Sequence, residues 1–307
     1  MDIEPPPKPI REAGALYPER RLFGVLVMLG GAAVLCVTDA AGKWALQGAP
    51  LMEMNFFRGV VAVAILVPLL WRSEGAAGWR TRRPWPHVGR SVLLVAVNYG
   101  WFLALEVMHL ADAAAIAMCA PLFMTLLSVP LLKEHVGWRR MIAVGIGFSG
   151  MLLIVQPGTD VFRWISLLPI FAAFGYALYM VTNRVLSGTE SMTTLTLFPQ
   201  LAILAVSAAT LSFLWVTPTW PILAAMLLAG AAAGLGHLAL TIAFRYAPAS
   251  LLAPLDYTAL VWATFYGWAL FGVLPGPLVV TGMALIVGSG LFIIWRADVG
   301  DRKASEG

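Results

Sequence analysis

Apolar residues run along this chain in long stretches, broken at near-regular intervals by short clusters of Pro, Gly and charged residues. A helix crossing ~30 Å of hydrocarbon takes about 20 residues. On that measure the pattern predicts ten spans: 22–46, 52–71, 88–108, 113–132, 138–156, 164–186, 192–215, 221–244, 249–272 and 277–295. Several joints are only a few residues long, so successive helices run antiparallel. The ninth run is unlike the others, because Pro254 interrupts it and Asp256 follows among apolar and aromatic neighbours. Proline cannot donate an N–H and clashes with the carbonyl of Ser250, which frees backbone polar groups beside a carboxylate. An acid at membrane depth is costly unless it is paired or faces water, which makes Asp256 a candidate functional residue. The alternative is a kinked helix whose acid a neighbour satisfies.

Composition sharpens this into an all-α membrane protein of about ten transmembrane helices. Of the 307 residues, 60% are apolar and 12% charged, whereas soluble domains carry about 25% charged residues. The formal charge of +4 does not point to nucleic acid, because the basic residues sit in the joints and form no stripe or aromatic platform. Cys36 and Cys119 fall inside apolar runs and read as small buried hydrophobes, so neither a metal nor another cofactor is expected. No G-x-x-x-x-G-K-[ST] occurs, so ATP does not drive the protein through this chain. Residues 1–20 are polar and Pro-rich and predict a disordered cytoplasmic tail rather than a secretory signal. Residues 297–307 predict a second cytoplasmic tail.

Charge also sets an orientation. With the N-terminus in the cytoplasm, 17 of the 20 Lys and Arg fall on the inner side, leaving Lys43, Arg58 and Arg163 toward the other. The excess of basic residues on one side predicts that both termini are cytoplasmic. The elements further divide into five spans (21–156) and five spans (157–296), and a shift of 136 lays Gly100 on Gly236 and Ala111 on Ala247. Pro121 and Pro254 each fall early in the fourth helix of a half. An odd number of spans per half turns the second half upside down, and inverted repeats of this kind hold solutes near the midplane between the halves.

Lys43-Trp44-Ala45-Leu46, followed by Phe56-Phe57-Arg58, resembles the first EamA repeat of the drug/metabolite transporter superfamily. So do Ala111-Asp112-Ala113-Ala114-Ala115 through Pro121, then Lys133-Glu134 and the helix holding Gly145, Gly147 and Gly150. The second half follows the pattern to Gly282 and Gly288-Ser289-Gly290, so the resemblance covers about residues 20–296. Two departures stand out: Leu270-Phe271-Gly272 where the first half has its Glu134, and Leu255-Asp256-Tyr257 where many members carry an apolar turn. The resemblance implies two inverted five-helix repeats in a bacterial-type inner membrane. It leaves the solute open, since the family moves amino acids, nucleotide-like metabolites, vitamins and drugs. Ten-helix amino-acid exporters of the YddG type are similar in length and layout.

The polar and aromatic residues inside the spans are the candidate solute contacts, each with a packing alternative. Asp39 and Lys43 are four apart on one helical face and either pair with each other or meet the charges of a zwitterion. Arg58 sits toward the end of its span, where its long stem can snorkel, and Glu106 is positioned to pair with it or with Lys43. Asn98, Tyr99 and Trp101 lie near the middle of the third span, too deep for an interfacial belt. Asn98 either bonds another helix or faces a solute, and Trp101 is either lipid-facing filler or a flat wall for an apolar group. Tyr176, Tyr179, Tyr257 and Trp262 carry the same two readings. His237, the one histidine in mid-span, predicts either a structural hydrogen bond or a titrating pair with Asp256.

The sequence therefore predicts a secondary transporter, not an enzyme. It would be a monomer or weak homo-oligomer in the lipid bilayer, moving a small metabolite by alternating access. Export of an amino acid, aromatic ones included, is the first expectation. Uptake or exchange of a vitamin or nucleoside-like metabolite is the second. An intramembrane lipid-modifying enzyme is the rival of another class, with only His237 and Asp256 as a catalytic set.

Overall fold

In a computed structural model, residues 18–81, 83–132, 136–159, 163–186, 190, 192–211, 215–247 and 249–305 are described. The expected tail over residues 1–17 and the Lys133-Glu134 pair lie outside them. The described residues form twelve α-helices: α1 (Pro18–Ala45), α2 (Leu51–Glu74), α3 (Pro84–Val107), α4 (Leu110–Ala117), α5 (Ala120–Leu132), α6 (Trp138–Val155), α7 (Leu167–Leu186), α8 (Met192–Leu211), α9 (Trp220–Tyr246), α10 (Ala249–Leu252), α11 (Ala259–Phe271) and α12 (Pro277–Ser305). They correspond to ten spans, because α4 and α5 together make the fourth and α10 and α11 the ninth. Eight helical segments are long and apolar enough to cross a membrane unaided. The last helix runs to Ser305, well past the point where a polar tail was expected to begin.

Both composite spans break where the sequence holds a proline. Met118 and Cys119 separate α4 from α5 just before Pro121. Between α10 and α11, Ala253–Thr258 form a 3₁₀ stretch with Pro254 in its first turn. Tighter i→i+3 bonding absorbs the amide that proline lacks, and it carries Asp256 in the middle of the irregular segment.

The main helix pairings each join the first five spans to the last five: α1 with α9, α2 with α8, α3 with α7, and α6 with α12. In lipid, apolar burial does little to bring helices together, so association depends on close packing of small residues and on polar contacts. Gly150 and Gly282 illustrate this. A Cβ built on Gly150 would meet the carbonyl oxygen of Gly282 at 2.7 Å, and one on Gly282 would meet the oxygen of Gly150 at 2.6 Å. On α9, a Cβ at Gly230 would stand 2.6 Å from the carbonyl oxygen of Arg58, so α9 lies directly on the α2 backbone there.

The surface is apolar as a lipid-facing surface must be, with Val92, Ile142, Ile146, Val261 and Phe265 all exposed. Four of the most exposed aromatics, Trp85, Trp138, Trp164 and Trp220, stand at or beside the starts of α3, α6, α7 and α9. Indoles at span ends sit at the headgroup level, where ring and N–H are both accommodated. These four anchors bracket the bundle, and the polar residues of interest lie between them.

Candidate functional site

Asp39 and Arg58 come within electrostatic reach where α1, α2, α3 and α9 approach. Asp39 on α1 accepts a hydrogen bond from Trp101 Nε1 on α3 at 2.8 Å. Since α1 packs chiefly on α9 and meets α3 only over a short stretch, this bond bridges two otherwise loosely joined helices. Arg58 is only 5% exposed, which reverses the expectation that it snorkels toward the surface. Its guanidinium donates to Asn55 Oδ1 at 3.1 Å and lies 5.1 Å from the Phe102 ring centroid. It acts electrostatically on Asp39, Tyr99 and His237. A buried guanidinium needs an opposite charge or donor-matched oxygens close by, and Asp39 supplies the charge. Tyr99 Oη is 2.8 Å from Ser207 Oγ on α8, and Asn98 Oδ1 is buried with no hydrogen-bond partner among the described residues.

Lys43 is occupied elsewhere. Its Nζ donates to the carbonyl oxygens of Leu105 and Met108 at 2.5 and 2.8 Å, closing the C-terminal end of α3. A cation there satisfies carbonyls that the helix leaves unpaired and meets the negative end of its dipole. The ring of Phe271 lies 5.4 Å from the same ammonium, and Glu106 is near enough to act on its charge. Asp39 and Lys43 thus share a helical face yet bind α3 at two different points instead of each other.

A second group belongs to α7 and the 253–258 segment. Asp256 is exposed, and Tyr176, in the middle of α7, is 42% exposed. The two lie within electrostatic reach of one another. A carboxylate facing lipid at such depth is costly, so an exposed Asp256 marks a polar environment on this side of the bundle. Tyr179 lies behind Tyr176, with ring centroids 6.3 Å apart and planes 28° from parallel. Its hydroxyl donates to the Leu195 carbonyl at 3.1 Å. The other residues expected on this side are placed differently. Tyr257 is buried with its hydroxyl against Gly290, where any side chain would collide with it. His237 falls in the field of Arg58, whereas Asp256 lies by Tyr176 and Tyr257, so the two belong to different neighbourhoods. Trp262 stacks on Tyr266 along α11, 27° from parallel.

A cavity of about 390 Å³ opens between α6 and α12 and is lined by residues such as Trp138, Ile146, Leu285 and Phe292. It is almost wholly apolar, lies away from both polar groups and offers them nothing. Among the described residues no cluster of His, Cys, Asp and Glu has metal-ligand geometry. Two residues with polar work to do, Arg58 and Arg90, were read from the sequence only as basic residues near span ends. Arg58 carried a signal, since it stands seven residues inside its helix with Asn55 one turn back on the same face. Arg90 carried none, because its hydrogen-bond acceptors on Asn183 and Leu195 stand more than ninety positions away.

Comparison with known proteins agrees with this architecture. The EamA-like transporter family matches residues 22–156. A riboflavin transporter of Vibrio cholerae is 30% identical over 92% of this chain and 96% of its own length. One from Rhizobium johnstonii is 29% identical over 94% and 96%. An S-adenosylmethionine uptake transporter of Rickettsia prowazekii is 27% identical over 89% and 93%. A solved crystal structure with a TM-score of 0.64 covers 87% of this chain and 94% of its own at 21% identity, which shows the shared fold. Relatives matched along nearly their whole length are transporters and not enzymes. The chain is a multi-pass membrane transporter of the EamA-like family, within the drug/metabolite transporter superfamily.

Proposed function

We propose that this transporter imports a metabolite built on a flat nitrogen heterocycle, of flavin or nucleoside type, by alternating access between its two five-helix halves. The observation that carries the reading is the Tyr176–Tyr179 stack with the exposed Asp256 within electrostatic reach of Tyr176. Stacked rings with an exposed face suit a planar aromatic group, and a carboxylate nearby accepts from the N–H, hydroxyl or ammonium groups such molecules carry. Relatives of the chain move riboflavin and S-adenosylmethionine, which favours uptake of this class over the export of amino acids expected at first. Asp39, Asn98, Tyr99, Trp101 and His237 form the polar wall that faces the solute farther along its path. The repeats comprise residues 21–156 and 157–296 and are inverted, and both termini are cytoplasmic.

The test is counterflow in proteoliposomes holding the purified protein, with labelled riboflavin, S-adenosylmethionine and tryptophan compared side by side. Exchange of either heterocyclic compound, lost in Tyr176→Ala, supports the reading. Exchange of tryptophan alone returns the chain to the amino-acid class.

A further inference from the structure

Behind the tyrosine stack lies a buried cation from the other half of the molecule. Arg90, on the second turn of α3, is 4% exposed. Its guanidinium lies 4.7 Å from the centroid of Tyr179, donates to Asn183 Oδ1 on α7, and donates to the Leu195 carbonyl on α8 at 3.3 Å. His87 Nδ1 stands 3.5 Å away on the same helix. The neighbouring acid, Glu190, is 3.3 Å from His87 Nε2. The Leu195 carbonyl that Arg90 reaches also accepts from the Tyr179 hydroxyl.

Arg90 therefore grips Tyr179 by its face and shares an acceptor with its hydroxyl. Tyr179 in turn backs Tyr176, whose front is open. Only a planar fork stacks on a ring and bonds two oxygens at once, whereas a lysine ammonium does one or the other. Ring orientation at Tyr179 is thus fixed from a helix of the first half, while the stack itself belongs to the second.

We propose that Arg90 is a positioning residue for the Tyr176–Tyr179 stack, holding it in the solute-binding orientation only while α3 and α7 are closed on each other at this end. Parting of the two helices withdraws the guanidinium, releases Tyr179 and dismantles the stack, so solute is let go on the side that opens. The inference rests on reading Tyr176 as a solute contact, but its first test needs no solute.

The full-length protein in detergent, monodisperse by gel filtration, is treated with tetranitromethane and the nitrated tyrosines are mapped by mass spectrometry. In the parent protein Tyr176 reacts and Tyr179 is protected. Arg90→Lys keeps the charge and loses the fork, and Tyr179 nitration rises at least fivefold. Asn183→Ala removes a partner instead of the arginine, and produces the same change to a smaller extent should Arg90→Lys fail to fold. Protection of Tyr179 unchanged in the folded variants overturns the proposal. The second readout is Kd for riboflavin and for S-adenosylmethionine in Arg90→Lys, Tyr176→Ala and the double variant. Each single change weakens binding about tenfold, and the double variant is little worse than either, because both act through one stack. Additive losses overturn the proposal. Absence of binding by the parent protein removes the solute reading instead, and nitration alone then decides the role of Arg90.

Discussion

The indole of Trp101 and the carboxylate of Asp39 are joined by a 2.8 Å hydrogen bond that links α3 to α1 across the interior of the bundle. Both residues stood out in the sequence as separate candidates. Their union makes them one unit, in which the indole holds the acid in place and the acid in turn balances the buried Arg58.

Trp101→Phe keeps the ring and removes the donor. Loss of one hydrogen bond to a buried charged group costs about 1–3 kcal/mol, so the apparent melting temperature should fall by several degrees. Solute uptake should fall too, and Asp39→Asn should lower it by a similar factor. Uptake in folded Trp101→Phe equal to that of the parent protein would remove this pair from the solute path.

Lys43 should behave in the opposite way. Its ammonium closes the end of α3, so Lys43→Met should lower thermal stability by about 1–2 kcal/mol, the scale of charge-assisted bonds to helix ends. KM for the solute should stay within about twofold, as befits a group that acts through packing. A tenfold rise in KM with stability unchanged would place Lys43 at the solute after all.

Asp256→Asn keeps the shape and removes the charge. If the carboxylate serves only to hold solute, exchange and net uptake should fall together at every pH. If it also carries a proton through the cycle, exchange should survive while pH-driven uptake is lost. Parallel counterflow and gradient-driven assays on one preparation distinguish these outcomes, and full activity in both would make Asp256 structural.

Orientation is open to a direct check. A cysteine placed at Gly78, in the joint between α2 and α3, should react with a membrane-impermeant maleimide only after the cells are opened. Cys36 and Cys119 are buried and should contribute little background. Labelling of intact cells would reverse the topology and with it the side on which α3 and α7 part.

The spans were legible because a bilayer imposes a single rule, about twenty apolar residues for each crossing. The helix ends moved, as in α12, whose polar last turns stay helical to Ser305, and the fourth span broke at Met118 and Cys119. The site was less legible, and for a particular reason. Helical spacing puts Asp39 and Lys43 on one face, but cannot say that α3 presents both an indole and a bare helix end to that face. Arg58 looked peripheral by counting from the span boundary. Its depth is set by Gly230, which lets α9 settle on the α2 backbone at that residue. Partnerships among distant helices are decided by such close approaches, and those leave no periodic trace.

The 3₁₀ stretch at Ala253–Thr258 has a mechanical meaning. A 3₁₀ helix advances about 2.0 Å and 120° per residue, against about 1.5 Å and 100° in an α-helix. Rewinding those six residues as α-helix would shorten the span by about 3 Å and rotate everything beyond Thr258 by about 120°. The segment is a screw thread set between a single helical turn, α10, and the longer α11, with a carboxylate on the thread. A small change in pitch there moves Asp256 around the helix axis without bending α11.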